Sequence, residues 1–238
     1  MNYIIASYLT TAIDNQRDIY TEKDNVKYIE EWYNTLIFNK LNGIIFFDDL
    51  SDEFIKGFPG VKFNKVDSIP FAMQLHDYRW FTYLSYLKNN QEIKNVFFTD
   101  IADVKIIKDP FTQPEFNDCT LYIGDEINKM DSWIVRCVSE AFEIIDDYHE
   151  IINKHWEESL LNCGILGGSR GIVMRYLELF KEYTLKILDR PTFDKTVDMP
   201  IFNYVVWKYF YPNILHGLPV NSRFCSHENI DNVWFIHK

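Results

Sequence analysis

Two aspartates, Asp100 and Asp103, follow the apolar run Asn95 to Thr99 and precede a second β-branched run, Val104 to Ile107, that closes at Asp109-Pro110. An apolar run that stops on an acid reads as a buried strand whose C-terminal tip presents carboxylates from the turn that leaves it. Grouped carboxylates are hard oxygen ligands suited to a divalent Mg2+ or Mn2+ ion, the usual bridge between an acidic protein and an anionic phosphate. The chemistry on offer is metal-assisted binding of a diphosphate. The same acids also suit a solvated strand end and its turn, where Asp is common.

Other chemistry-bearing residues stand at element ends. Trp80, Phe81, Leu84 and Leu87 mark the buried stripe of a helix over Asp77 to Lys88, with Asp77 and Arg79 in its first turn. A helix N-terminus favours anions, and an Arg there can grip a phosphate or a sugar hydroxyl. Alternatively, Asp77 is an N-cap and Arg79 balances it. The polar segment Thr10 to Arg17 follows the first strand, Tyr3 to Tyr8, so Thr10 and Arg17 are candidate nucleotide contacts or plain loop polars. Asp198, two residues before Pro200, opens a helix through Asn203, Val206 and Phe210, either as an N-cap or as a carboxylate placed for chemistry. The glycines of Asn162 to Gly168, Gly167 among them, predict a tight turn before a helix from Ser169 to Tyr183; the Lys-Ser/Thr ending of a P-loop is missing. His237 and Lys238 lie on a terminal strand, Asn232 to Lys238, where a lone His is ordinarily structural.

The elements that must position these residues alternate. A helix is expected from Asp24, as N-cap, to Leu41, then a strand Gly43 to Phe47 ending on Asp48-Asp49 and a half-exposed strand Val61 to Val66. A short strand Thr120 to Ile123 leads into Gly124-Asp-Glu126, and Ile134, Cys137, Val138, Ala141, Phe142 and Ile145 mark another helix. Asp146 to His155 reads as a polar seam. Strand and helix in turn imply an α/β fold with a mostly parallel sheet and crossover helices.

The 238 residues are 47% apolar, 25% charged and 17% aromatic, an ordinary globular balance with room for a proper core. A formal charge of −11 argues against a nucleic-acid partner and against an anionic membrane, while a small anionic ligand is admissible if a metal offsets the charge locally. Cys119, Cys137, Cys163 and Cys225 show neither C-x-x-C spacing nor disulfide density and read as reduced thiols. Tyr3 to Leu9 lacks a basic flank and reads as a strand, not a signal peptide, and no stretch approaches the ~20 apolar residues of a membrane span. A soluble, cytoplasmic protein is the expectation.

Six pieces occur in an order that resembles nucleotide-sugar glycosyltransferases of the GT-A fold. They are Asp77-Tyr-Arg-Trp80, Thr99-Asp-Ile-Ala-Asp-Val104 with Lys108-Asp-Pro-Phe111, Gly124-Asp-Glu126, Asn162 to Gly168, Asp198 to Asn203 and Val233 to Lys238. The likeness is to a branch whose metal motif reads Asp-x-x-Asp in place of the commoner Asp-x-Asp, and it spans nearly the whole chain. It implies a Rossmann-like three-layer sandwich with helices on both faces of the sheet. It also implies one domain over 1–238, with residues 1–130 as the nucleotide-sugar half and 131–238 as the acceptor-side half. The implied activity is metal-dependent hexosyl- or pentosyltransfer from a UDP- or GDP-linked sugar to a glycan hydroxyl, as in polysaccharide biosynthesis.

By the same resemblance, Asp100, Asp103 and His237 hold Mn2+ or Mg2+, and Asp198 is the catalytic carboxylate. Thr10, Arg17, Asp77, Arg79, Asp100, Asn162, Gly167 and Lys238 contact the donor. Which of the two acids holds the ion and which reaches the ribose stays open. A sugar-nucleotide-forming nucleotidyltransferase would share the acidic site, but it calls for a glycine-rich loop after the first strand, and Thr10 to Arg17 has no glycine. A non-catalytic glycan-binding domain would account for the abundant Tyr and Trp.

Overall fold

The computed structural model describes residues 1–14, 18–67, 69–70, 73–130, 143–188, 197–226 and 232–238. Its first half runs β1 (Asn2–Tyr8), a small β2–β3 hairpin (Ile13–Asp14, Ile19–Tyr20), α1 (Val26–Phe38), β4 (Gly43–Phe47), α2 (Asp52–Lys56), β5 (Val61–Lys65), α3 (Leu75–Asn89) and β6 (Asn95–Thr99). There follow β7 (Val104–Ile106), β8 (Leu121–Lys129), α4 (Tyr148–Lys154), β9 (Ser159–Ser169), α5 (Arg170–Leu188), α6 (Asp198–Tyr209), β10 (Ile214–His216) and β11 (Phe235–His237).

Among the described residues, seven strands form the central sheet in the order β10-β8-β9-β6-β1-β4-β5, and β9 alone of these runs antiparallel to its neighbours. The alternation of side chains along each strand divides the core between the two faces. Ile5, Ile44, Phe46, Val96 and Phe98 point to the face covered by α3, α5 and α6. Ile4, Ala6, Ile45 and Phe97 point to the face carrying α1. Trp80 of α3, 1% exposed, sits edge-on to Tyr83, Phe98 and Tyr176, and truncating such a residue costs about 3–5 kcal/mol. This is the expected three-layer α/β arrangement, mostly parallel, with helices on both faces.

Several local expectations shift. Asn162 to Gly168 is not a turn but lies within β9, between β6 and β8. Its glycines serve packing: a Cβ on Gly167 would lie 2.2 Å from the ring of Phe97, its partner in register. The short strand at 120–123 continues to Lys129 through irregular pairing with β9. Asn25, not Asp24, caps α1, its side chain accepting from Lys27 N, while Asp24 accepts from Ser51 N. Neither Asp77 nor Asp198 is an N-cap, because the cap positions fall on Gln74 and Val197. The expected seam contains α4, packed on α6. Of the expected helix marked by Ile134 to Ile145, every marking residue but Ile145 lies outside the described residues, as does Arg17.

Candidate active site

Strand connections set the position of the site. From β1 the chain moves outward to β4 and β5, then returns to place β6 on the opposite side of β1. Such a reversal leaves a crevice beyond the carboxyl ends of the strands, between β1 and β6. A cavity of about 190 Å³ lies there, lined by Ser7 and Leu9 from the end of β1, Asp100 to Asp103 from the end of β6, and His76 and Arg79 from the first turns of α3. Asn162, Cys163 and Gly164 from β9, Asp198 from α6, Glu126 and His237 complete its wall.

The acidic turn is held from behind. Trp32 Nε1 of α1 donates to Thr99 Oγ1 at 2.8 Å, and Asp100 N donates to Gly164 O at 2.9 Å. After the turn, β7 pairs antiparallel with β11, placing His237 opposite Val104. Thr35 accepts from Ile106 N and Asn39 donates to Ile106 O, so α1 secures this ribbon. The result brings Asp100, Asp103 and His237 together, with one ligand atom from each lying within 4.8 Å of the others. His237 Nε2 is 3.8 Å from Asp103 Oδ1. Gly164 makes room for the imidazole, since a Cβ there would stand 2.3 Å from His237 Cε1 and 2.8 Å from Nε2.

Electrostatics prepare these groups as ligands. Burial, with Arg79 adding to it against the pull of Asp100, lowers the His237 imidazole to about 4, so it is neutral at pH 7 with one ring-nitrogen lone pair to offer. Its Nδ1 is buried without a hydrogen-bond partner among the described residues. Burial works against ionisation of Asp100, but the charge and hydrogen bond of Arg79, together with His237 and His76, outweigh it and hold the carboxyl below its ordinary value. Two carboxylates and a neutral imidazole fit a divalent ion such as Mn2+ or Mg2+.

Arg79 stands between two acids. Its Nη1 donates to Asp100 Oδ1, and its Nη2 lies 3.6 Å from Asp198 Oδ2 and donates to Cys163 O at 3.5 Å. Asp198 is placed by Asn203, one turn along α6, whose amide accepts from Leu161 N and donates to Leu161 O on β9. Asn162 also faces the cavity, locked by donation to Glu126 Oε1 at 2.7 Å and acceptance from Gly164 N at 2.7 Å.

The remaining sequence candidates lie elsewhere. Asp77 is wholly buried behind the cavity, accepting from Val197 N at 3.3 Å, and burial together with nearby Asp198 drives its carboxyl well above the usual range. Thr10 binds Asp48 through its N–H and hydroxyl. Gly167 packs on Phe97, and the Lys238 ammonium turns to Glu31.

Sequence reasoning did not single out Gly164, Glu126, or the buried Asp14 whose Oδ1 lies 3.0 Å from His76 Nε2 at the cavity wall. Glu126 had a signal in the apolar strand running into Gly124-Asp-Glu126. The other two depend on long-range contacts that no spacing displays.

No family model matches the chain, and no curated protein matches it in sequence. Solved structures do match. Galactosyltransferase LgtC in complex with donor and acceptor sugar analogs aligns at a TM-score of 0.50 and 15% identity, over 100% of this chain and 86% of that one. An active-site mutant of LgtC aligns at 0.52 and 14% identity, over 100% and 86%. At such identity the likeness is one of fold, and the fold is GT-A.

Proposed function

We propose that this protein is a metal-dependent glycosyltransferase that moves a hexosyl or pentosyl group from a UDP- or GDP-linked sugar to a hydroxyl of a glycan acceptor. One observation carries the reading: His237, distant in sequence, converges with Asp100 and Asp103 at the switch-point crevice of a GT-A sheet. A divalent ion held there supplies neutralisation of the leaving diphosphate and a template for its oxygens. Arg79, on the wall beside Asp100, adds a second positive group toward that diphosphate or a charged hydrogen bond to the donor sugar. Asp198 serves the transferred sugar, either taking the acceptor's proton or shielding positive charge that develops at the anomeric carbon. Asn162, fixed by Glu126 and Gly164 N, orients sugar hydroxyls without rearranging.

The whole chain acts as one GT-A domain in this reading, since Arg79 and Asp100 come from residues 1–130 and Asn162, Asp198 and His237 from 131–238. Polysaccharide biosynthesis in the cytoplasm is the proposed setting. No helix among the described residues is long and apolar enough to cross a membrane.

Thermal-shift titration with UDP- and GDP-sugars, with and without Mn2+, tests the proposal. A ligand bound only by the native state raises Tm, and here the rise is expected only when ion and nucleotide sugar are both present. Chelator-treated protein that turns over nucleotide sugar as fast as the untreated sample would overturn it.

A further inference from the structure

Arg79 is an unusual group to find beside a metal-ligand carboxylate. A dication binding to Asp100 must contend with a guanidinium that already donates to Asp100 Oδ1. The Arg79 side chain is 9% exposed, so water screens it little, and its Nε has no hydrogen-bond partner among the described residues. Its planar fork is divided: one amino group goes to Asp100, the other sits between Asp198 and Cys163 O. The adjacent Trp80 ring, 5.0 Å from Cζ, backs the guanidinium and limits where it can move. A single buried cation is thus shared by a metal-ligand carboxylate and by a carboxylate placed for sugar chemistry.

We propose that Arg79 is a positioning residue that couples occupancy of the Asp100–Asp103–His237 site to Asp198. This rests on the metal-dependent reading above. The more of Arg79's charge and hydrogen bonding that Asp198 takes, the less of Asp100 is neutralised, and the better the three-residue site holds a dication. By thermodynamic reciprocity, filling that site weakens the Arg79–Asp100 pair and turns the guanidinium toward Asp198 and the bound sugar. Asp198, although it is not a ligand in this arrangement, therefore sets metal affinity through Arg79.

The test is Mn2+ binding by calorimetry, with the free ion counted by electron paramagnetic resonance, on the full chain without nucleotide sugar. Asp198→Asn, nearly isosteric, is expected to weaken Mn2+ binding by roughly 5- to 20-fold, the span of a modest coupling between sites. In an Arg79→Met background the same substitution should change Mn2+ affinity by less than about two-fold, because the connecting cation is gone. Arg79→Lys supplies a second background that keeps the charge but removes the fork, and it should also abolish most of the coupling. A wild type that binds Mn2+ tightly while Asp198→Asn binds it equally well overturns the coupling and leaves the metal site standing. An Asp198→Asn effect of equal size in all three backgrounds also overturns it. A wild type that binds no Mn2+ overturns the metal site and the coupling together.

Discussion

Asp48 and Asp100 occupy equivalent places in one sheet, and the surrounding donors give them opposite roles. Each follows a buried apolar strand, Gly43–Phe47 or Asn95–Thr99, at its carboxyl end. Asp48 accepts from the backbone N–H of Thr10, Thr11 and Asp49 and from both threonine hydroxyls. Burial opposes its ionisation, but these bonds prevail and lower its pKa. Among the described residues, Asp100 receives only Arg79 as a side-chain donor, and Asp103 and His237 gather beside it. A carboxylate saturated by local N–H and O–H groups is a structural clasp, while one facing other ligand atoms is a candidate site. The motif at a strand tip does not decide which; the donors within reach do.

The comparison breaks most sharply at the two acids themselves. Asp100→Asn is expected to lower turnover on the order of 10²-fold or more and to remove most Mn2+ affinity, as loss of a charged ligand at a metal-assisted site implies. Calorimetry with Mn2+ and a turnover assay on the same sample measure both. Equal Mn2+ binding by the variant would make Asp100 another clasp. Gly164→Ala probes the same site from behind. Its new Cβ would collide with His237, so Mn2+ affinity should fall roughly 10- to 100-fold while the sheet, in which Gly164 is one strand residue among many, stays folded.

A pH titration separates the regions in another way. The His237 imidazole titrates at about 4 in the folded chain against roughly 6.5 unfolded. Between those values the unfolded chain binds the extra proton, so this contribution to stability is complete above pH ~6.5 and is lost as pH falls toward 4. Metal-free wild type should lose about 3 kcal/mol as pH falls to 4 from this group, and His237→Gln should flatten the slope. The clasp titrates lower. The lowered pKa of Asp48 gives a contribution present above its unfolded value, near 3.9, and lost as pH falls through the folded one. Asp48→Asn should cost about 1–3 kcal/mol in urea unfolding at pH 7 with Mn2+ affinity unchanged.

How much of this was legible beforehand follows from the range of each contact. The strand ending at Thr99, the acids after it and Arg79 in the first turns of α3 are local patterns, and the sequence displays them. Asn162 to Gly168 misleads because glycine is depleted in strands and common in turns. In the fold it is a central strand whose small residues admit the Phe97 ring and the His237 imidazole. Thr10 follows β1, where ligand contacts are expected, yet Asp48, 38 residues away, consumes it. Asp14 beside His76, and Trp32 on Thr99, are through-space pairings of the same kind. The arrival of His237 beside Asp103 follows from the pairing of β7 with β11, which the resemblance supplied and residue spacing did not.

The smallest expected effect belongs to Lys238, next to His237 in sequence but directed away from the crevice. Its backbone N–H donates to Asp103 O at 3.0 Å, continuing the β7–β11 ribbon, while its half-exposed ammonium meets Glu31 on α1. Glu31 also pairs with Lys105, so one carboxylate is shared by two lysines on the outer surface. Exposed pairs of this kind contribute about 0–1 kcal/mol, because water screens the attraction and ordering two long side chains costs entropy. Lys238→Ala keeps the backbone bond and should leave the KM for nucleotide sugar within about two-fold and stability within about 1 kcal/mol. A KM rise of ten-fold or more, with Mn2+ affinity intact, would mean that the ammonium leaves Glu31 for the diphosphate once donor is bound, and would extend the charged crevice to a residue the fold holds outside it.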